Sequence, residues 1–402
     1  MFRRFIAYGT GNVLTALIPF LLLPFLTSNM EPSELGIVAF IESLIMLVTP
    51  LVIFGVDGSY SAFYHKLSNH ERASQSVALL QIVLAMTLLL APIFALIIYL
   101  DAIPIKIDKI WFISLLFLFL SLAINSLFFS QLQMNGKAQQ YAVLKVCIAL
   151  LGACITIFAV LNISKDASSR LLGIYSSPIL VSFVCLAVMY KRGVFSQDLF
   201  RPDLISRGVY FGFGMVLHSW SAIVFFASDR FIIGFLGDAD VLGKYAVAVQ
   251  IGMVMAVIQN TFSQVWTPHS FQLFAQSKFE EFDKKSYFAI LVLLTMCVAL
   301  MMAVPLLYNY FIDLKYHEMI NVTYWVVATY FFLGLYKVHV VKLFYYEKTK
   351  LLAAITTFTS VFNVCLTIML IQHLSVVGAA IATFISSIVF YGLVHFFARK
   401  LP

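Results

Sequence analysis

The chain has 402 residues, 62% of them hydrophobic and 11% charged, with a net charge of +7 and a mean hydropathy of +0.96. Soluble domains run at about 45–50% apolar and about 25% charged, so this composition excludes a water-soluble fold, which could not cover its surface with polar groups. A bilayer demands internally paired backbone, in helices or a closed barrel. The apolar runs here are continuous for about twenty residues, which is helix length for a bilayer and not the alternation of barrel strands.

The first run, from Phe5 to Thr27, follows Arg3 and Arg4 and so imitates a secretory signal. It is too long for a signal core, lacks a small-x-small exit and is followed by more apolar runs, so an uncleaved first helix is expected. The pattern predicts spans near 5–28, 35–56, 77–100, 111–133, 140–162, 171–190, 207–236, 242–268, 286–312, 319–344, 351–371 and 376–398. Turn and charge signals separate them, as in Glu31-Pro32-Ser33-Glu34, Asn69-His70-Glu71-Arg72, Lys165-Asp166-Ala167-Ser168 and Gly237-Asp238-Ala239-Asp240. The expected fold class is an all-α integral membrane protein of about twelve transmembrane helices.

Basic residues on short loops mark the cytoplasmic side. With the N-terminus inside, the outer segments hold only Lys106, Lys109, Lys165, Arg170, Lys244 and Lys315, and nearly all other Lys and Arg fall inside. Both termini are then cytoplasmic. The positive charge reads as topology, and no nucleic-acid partner is expected. The five cysteines, Cys147, Cys154, Cys185, Cys297 and Cys365, lie in apolar runs without CxxC spacing, so small buried hydrophobes are expected in place of a disulfide framework.

Lys191 to Arg207 is the longest non-apolar stretch and divides the chain into two six-span halves, 1–195 and 196–402. The halves resemble each other. Tyr8-Gly9-Thr10-Gly11 matches Phe211-Gly212-Phe213-Gly214 at an offset of 203, and Leu35-Gly36 matches Leu242-Gly243 at an offset of 207. Six spans is an even number, so the two bundles would be parallel repeats about an axis along the membrane normal, with a substrate carried between them.

Catalytic motifs are absent. Gly9-Thr10-Gly11-Asn12-Val13-Leu14 lacks the third glycine of a dinucleotide loop, no Walker sequence occurs, and His317-Glu318 has no second histidine to complete a zinc helix. No enzyme activity and no cofactor or metal are expected. Polar groups inside spans are costly and normally face a cavity or a partner. Span seven carries His218, Ser219, Ser221, Ser228, Asp229 and Arg230. These read either as a lumen wall or as an Asp229–Arg230 pair that anchors the helix end. Tyr8, Asn12, Thr15 and Pro19 share one face of span one, and Thr15 corresponds to His218 at the 203-residue offset. Asn12 and Thr15 read equally as substrate contacts and as hydrogen bonds to a neighbouring helix. Span ten offers Tyr336, His339, Lys342 and Tyr346, with Lys337 beside them; the lysines read as snorkelling to headgroups, and His339 as an interhelical or proton-binding group. Glu42 of span two and Gln250 of span eight complete the candidates. Ion coupling, if present, falls to Glu42, Asp229 or His339.

Ser228-Asp229-Arg230-Phe231-Ile232-Ile233-Gly234-Phe235-Leu236-Gly237, followed by Val241-Leu242-Gly243-Lys244-Tyr245-Ala246-Val247-Ala248, carries a resemblance. With Tyr8-Gly9-Thr10-Gly11-Asn12, Pro24 and the Glu34-Leu35-Gly36 turn, it resembles the Wzx-type, or O-antigen, polysaccharide flippases of the multidrug/oligosaccharidyl-lipid/polysaccharide exporter superfamily. The resemblance implies two pseudo-symmetric six-helix bundles in a bacterial inner membrane. It implies transfer of an undecaprenyl-diphosphate-linked oligosaccharide from the cytoplasmic to the periplasmic leaflet. The lipid bilayer is the surrounding partner, a polymerase and a ligase are implied associates, and the working unit is a monomer. By analogy Arg230 is the first candidate for the diphosphate or an acidic sugar. The related lipid II flippases place arginine within the first spans, whereas Arg3 and Arg4 here sit at the N-terminal edge. A multi-arginine clamp is therefore not carried over, and His218, Lys145 and Lys342 are the substitutes. A Na⁺- or H⁺-coupled drug or metabolite exporter of the same superfamily remains the alternative. A multispan acyltransferase or polymerase fits less well, because no large outer loop or clustered acid–base set is present.

Overall fold

A computed structural model describes residues 2–100, 108–195, 200–236 and 238–401; the side chains of 2–9, 98, 217 and 218 lie outside the description. Among these residues every regular element is helical. In chain order they are α1 (Phe2–Asn29), α2 (Pro32–Ile53), α3 (Val56–Phe63), α4 (Asn69–Tyr99), α5 (Lys109–Met134), α6 (Ala138–Asn162), α7 (Ala167–Lys191), α8 (Pro202–Phe235), α9 (Ala239–Gly252), α10 (Val254–Ala275), α11 (Phe279–Phe311) and α12 (Ile320–Tyr345). The last stretch, Thr349–Arg399, breaks at Ser375, where φ is 53° and ψ is −150°. A Cβ built on Gly378 would strike Leu370 O, although a straight helix would hold these residues about 12 Å apart. The stretch is therefore a hairpin of α13 (349–374) and α14 (376–399). Ten described segments are long and apolar enough to cross a membrane, and α8, bent by 42°, makes an eleventh. Dividing Thr349–Arg399 at its hairpin completes the twelve expected.

The polar breaks work as helix starts. Asp166 accepts from Ser169 N at 3.1 Å to open α7, and Asp238 accepts from Val241 N at 3.0 Å to open α9. Each cap satisfies an amide that a helix start leaves unpaired, worth about 1 kcal/mol. Glu34, in the first turn of α2, accepts from Ala167 N at 2.7 Å and so ties two helix starts together.

Span two is longer than the sequence indicates. It continues past residue 56 through α3 and a short 3-10 turn to Lys66. The joint is at Phe54 and Gly55, with φ of 49° and 65°. Glycine suits Gly55 because side chains rarely adopt that φ, and because a Cβ there would come within 2.8 Å of Met215 Cβ on α8. Span eight is likewise in two pieces, α9 and α10, joined at Met253. The cysteines differ from expectation: Cys185 and Cys297 are buried, but Cys147, Cys154 and Cys365 are exposed on the bundle surface, where lipid replaces protein as the apolar neighbour.

One cluster of buried apolar side chains runs from Val38 to Met189 on α2 to α7. Another runs from Phe225 to Ala398 on α8 to α14 and takes in Ala39 and Phe40 of α2. The expected boundary at 195/196 abuts residues 196–199, outside the described residues. The glycines matched by the internal repeat meet each other. A Cβ on Gly36 would overlap Ala239 O, and one on Gly243 would overlap Pro32 O. α2 and α9 thus cross backbone to backbone, as small residues permit between membrane helices.

Gly36→Ala and Gly243→Ala should each destabilise the protein by about 1–3 kcal/mol through overpacking. Gly392→Ala is the control, because its Cβ would meet nothing within 4 Å. Thermal unfolding in detergent should separate the crossing variants from this control; equal losses at all three would remove the crossing as a determinant.

Candidate functional site

Two ends of the bundle differ. At the end marked by Glu31, three turns lock together. Lys315 Nζ reaches Glu31 at 3.1 Å, and Tyr316 OH donates to Met30 O at 2.9 Å. Lys244 bridges Asp240 at 3.0 Å and Glu318 at 2.8 Å. Just below, Phe40 of α2 stacks on Phe231 of α8 at 5.7 Å.

The two sides also differ. α2 and α3 follow α8 toward the other end: Trp220 Nε1 donates to Leu47 O at 3.0 Å, and Phe63 meets Phe211 edge-on at 6.0 Å. On the opposite side Gln250 Nε2 of α9 donates to Pro19 O of α1 at 2.9 Å. Beyond that bond the helices part. α1 touches α10 only marginally, and Asn12 and Asn260 are exposed. A cleft results, closed at the Glu31 end and bordered by α1 and α10.

Each border carries an amide–lysine pair. Lys145 of α6 donates to Asn12 Oδ1 at 3.3 Å and lies 4.8 Å from the Tyr141 ring centroid. Lys337 of α12 contacts Asn260 Oδ1. Asn12 is seven residues from Pro19 and Asn260 is ten from Gln250, so the helical rise puts them about 10 and 15 Å from the same cross-link, at similar depth. Among the described residues neither lysine makes an ion pair. Beside Lys337 lies a cavity of about 350 Å³ lined by Phe225, Phe226, Tyr330, Tyr336 and Phe390. Gln259 borders it, 2% exposed, and its Oε1 has no hydrogen-bond partner among the described residues.

The spans hold two further charge pairs, in which only Glu42 is substantially exposed. Asp229 Oδ2 accepts from Tyr245 OH at 2.6 Å, and Asp229 Oδ1 lies 3.7 Å from Arg230 Nε. Arg230 Nη2 donates to Phe226 O at 2.9 Å. The two neighbours project about 100° apart, yet the length of the arginine brings the charges together. Arg170 Nη2 is 3.8 Å from Glu42 Oε1, with Glu42 left 42% exposed and Arg170 only 13%. Arg170 also donates to Thr156 Oγ1 at 3.2 Å.

The structure thus gathers the sequence candidates into separate places. Asn12 and Lys145 share the cleft border, and Gln250 closes its apex. Thr15 Oγ1 donates to Gly11 O of its own helix at 2.7 Å. The His218 side chain lies outside the described residues. Ser228 joins Asn363 of α13 at 3.1 Å, a helix-packing bond. Lys342 and His339 sit together in another cavity, with Lys342 3.8 Å from Asp283. Sequence reasoning gave Lys337 to the headgroups and left Asn260, Arg170 and Tyr245 without roles. The signal for Lys337 was its depth, eight residues before the end of α12.

Asp229→Ala would leave Arg230 as an uncompensated buried charge and should cost about 3–5 kcal/mol. Tyr245→Phe, which removes one hydrogen bond to a charged group, should cost about 1.5–3 kcal/mol. Thermal unfolding checks the order; a harmless Asp229→Ala would refute the structural reading of this pair.

The family model described as "Polysaccharide biosynthesis protein" matches residues 1–274. An Lsg locus protein of Haemophilus influenzae is 23% identical over 385 residues, covering 90% of each chain. An uncharacterized membrane protein of the same organism is 22% identical over 85% of this chain and 83% of its own. In structure the chain resembles the lipid II flippase MurJ in an inward closed conformation, with a TM-score of 0.76 and 14% identity over 100% of this chain and 88% of that one. It also resembles an inward-facing multidrug resistance MATE family transporter of the MOP superfamily, with a TM-score of 0.70 and 13% identity over 97% and 93% of the two chains. An outward-facing MATE structure gives 0.63 at 15% identity over 99% and 94%. The likeness shows the fold.

Proposed function

The chain belongs to the polysaccharide biosynthesis protein family, and we propose that this member flips an undecaprenyl-diphosphate-linked oligosaccharide, an O-antigen or related surface-polysaccharide repeat unit. The observation that carries this reading is the one-sided cleft with a lysine on each border that rests on an asparagine and makes no ion pair among the described residues. A diphosphate cannot enter about 30 Å of hydrocarbon unassisted, and intramembrane cations offset its lost hydration. Lys145 and Lys337 supply that charge. Asn12, Asn260 and the aromatic cavity beside Gln259 offer amide and ring contacts suited to a sugar.

In this reading the Glu31 end faces the periplasm, because basic residues collect at the other end. Both termini and the open end of the cleft are then cytoplasmic, in a bacterial inner membrane. The parting of α1 from α10 lets the polyprenyl tail stay in lipid while the headgroup crosses. The halves 1–195 and 196–402 rock about the α2–α9 crossing to close this side and open the other. The protein works as a monomer that hands its product to a polymerase and a ligase. Glu42, half-exposed at membrane depth, favours the second reading, an ion-coupled exporter of cationic drugs; its pairing with Arg170 and the lysines on both borders weigh for an anionic cargo.

Leaflet accessibility of the lipid-linked glycan in cells tests the proposal. Deletion should trap the glycan in the cytoplasmic leaflet. Lys145→Gln/Lys337→Gln should retain folding but cut flux about tenfold or more, the effect of losing roughly 1.5 kcal/mol or more of charge-assisted contact. Normal glycan distribution after deletion would sink the flippase reading, and full flux in the double variant would sink the lysine assignment alone.

A further inference from the structure

A second cavity, of about 430 Å³, lies apart from the cleft between α11, α12 and α14. Its walls include Lys342, His339, His395, Arg399, Asp283 and Tyr391. Lys342 is 9% exposed, and a lysine this little exposed normally has an anionic partner. The partner available is loose: Asp283 stands 3.8 Å away and is itself 61% exposed. Arg399, in the last turn of α14, makes no ion pair among the described residues. The imidazoles of His339 and His395 meet edge-on at 4.5 Å. His339 Nδ1 is engaged with Leu335 O at 3.2 Å, whereas His395 Nδ1 is buried without a hydrogen-bond partner among the described residues.

Two fixed cations against one carboxylate, with two imidazoles beside them, form an acceptor-seeking pocket. We propose that this cavity binds a phosphate group. A tetrahedral phosphate accepts from several directions and pairs strongly with Lys and Arg. The idle donor-capable His395 Nδ1, the under-neutralised Lys342 and the free Arg399 would each gain a partner that the protein does not provide. The position defines the sources. The cavity sits at the end of the bundle where α11 and α13 begin and α14 ends, which carries Lys284, Lys285, Lys348, Lys350 and Lys400. Exposed Tyr287, Phe288 and Leu291 extend from it along α11 into the apolar band, where acyl chains would lie. Basic pockets between membrane helices on that side take lipid headgroups, and free phosphate has access from the water. The site does not depend on the cargo proposed for the cleft.

The test uses the full chain purified in neutral detergent. Inorganic phosphate and phosphatidylglycerol are added separately, against chloride at matched ionic strength and phosphatidylcholine, and the unfolding temperature is followed. A saturable, probe-specific rise is expected. His395→Gln/Arg399→Gln, and Arg399→Gln alone at the exposed helix end, should weaken apparent affinity about tenfold or more. Lys278→Gln, which pairs with Glu281 outside the pocket, should not. A rise with phosphatidylglycerol alone assigns the site to a lipid headgroup, and a rise with inorganic phosphate assigns it to the soluble ion. No preference of either probe over its control, or a rise that both pocket variants keep, overturns the proposal.

Discussion

Two helices can cross with their backbones in contact only where neither carries a side chain. Gly36 on α2 and Gly243 on α9 create that place. Leu35-Gly36 and Leu242-Gly243 are also the corresponding positions of the sequence repeat. In a parallel duplication, corresponding residues touch each other only where the symmetry axis passes. The crossing is a backbone contact near the Glu31 end of the bundle. The salt bridges and the Tyr316–Met30 bond at the Glu31 end gather around it. Toward the far end α2 stays against α8, where a Cβ on Gly212 would overlap Phe54 O, and only α1 and α10 are left to diverge.

The divergence is uneven, and sequence symmetry does not explain it. If the repeat were obeyed throughout, α1 would pack on α9 and α10 as α2 and α3 pack on α8. The second contact is made along most of its length, with Trp220–Leu47 and Phe63–Phe211 as markers. The first thins beyond Pro19–Gln250 to a marginal contact of α1 with α10. On the proposed duplication, one of two equivalent contacts is made and the other broken, which gives a second state in which they exchange. The devices for exchange are present in both copies: span two is jointed at Phe54–Gly55 and span eight at Met253. Pro19 and Pro24 inside α1 weaken its hydrogen-bond ladder on the side that would move.

Span number and position were legible because hydrocarbon sets a length that hydropathy reports directly. The hairpin at Ser375 was placed correctly because Gln372, His373 and Ser375 interrupt the apolar run. The end of span two was not legible, since Asp57, Gly58 and Ser59 mimic a loop while staying helical. Charge pairing was obscured for another reason. A helical wheel gives the direction of a Cβ, not the reach of a guanidinium, and so it left the Asp229–Arg230 pair as one of two readings of span seven; their charged atoms meet. Lys337 was assigned to headgroups from its nearness to a cytoplasmic end. Its eight residues of distance, about 12 Å of helix, exceed what a four-carbon stem covers.

Which cations remain for cargo follows from which are already neutralised. Arg230 and Arg170 are the strongest anion-binding groups within the spans, and both are occupied: Asp229 and Phe226 O hold one, Glu42 and Thr156 the other. A planar guanidinium freed in the cleft would grip a diphosphate through paired hydrogen bonds. A flippase must release what it binds, and a pathway works only if binding is favourable enough to admit the cargo and weak enough to let it leave. Lysines are point charges on flexible stems, with no fixed fork to match. In the proposed cycle Lys145 and Lys337, each resting on an asparagine when no phosphate is present, attract the anion without trapping it. The buried arginine pairs then serve to stiffen the walls along which it slides.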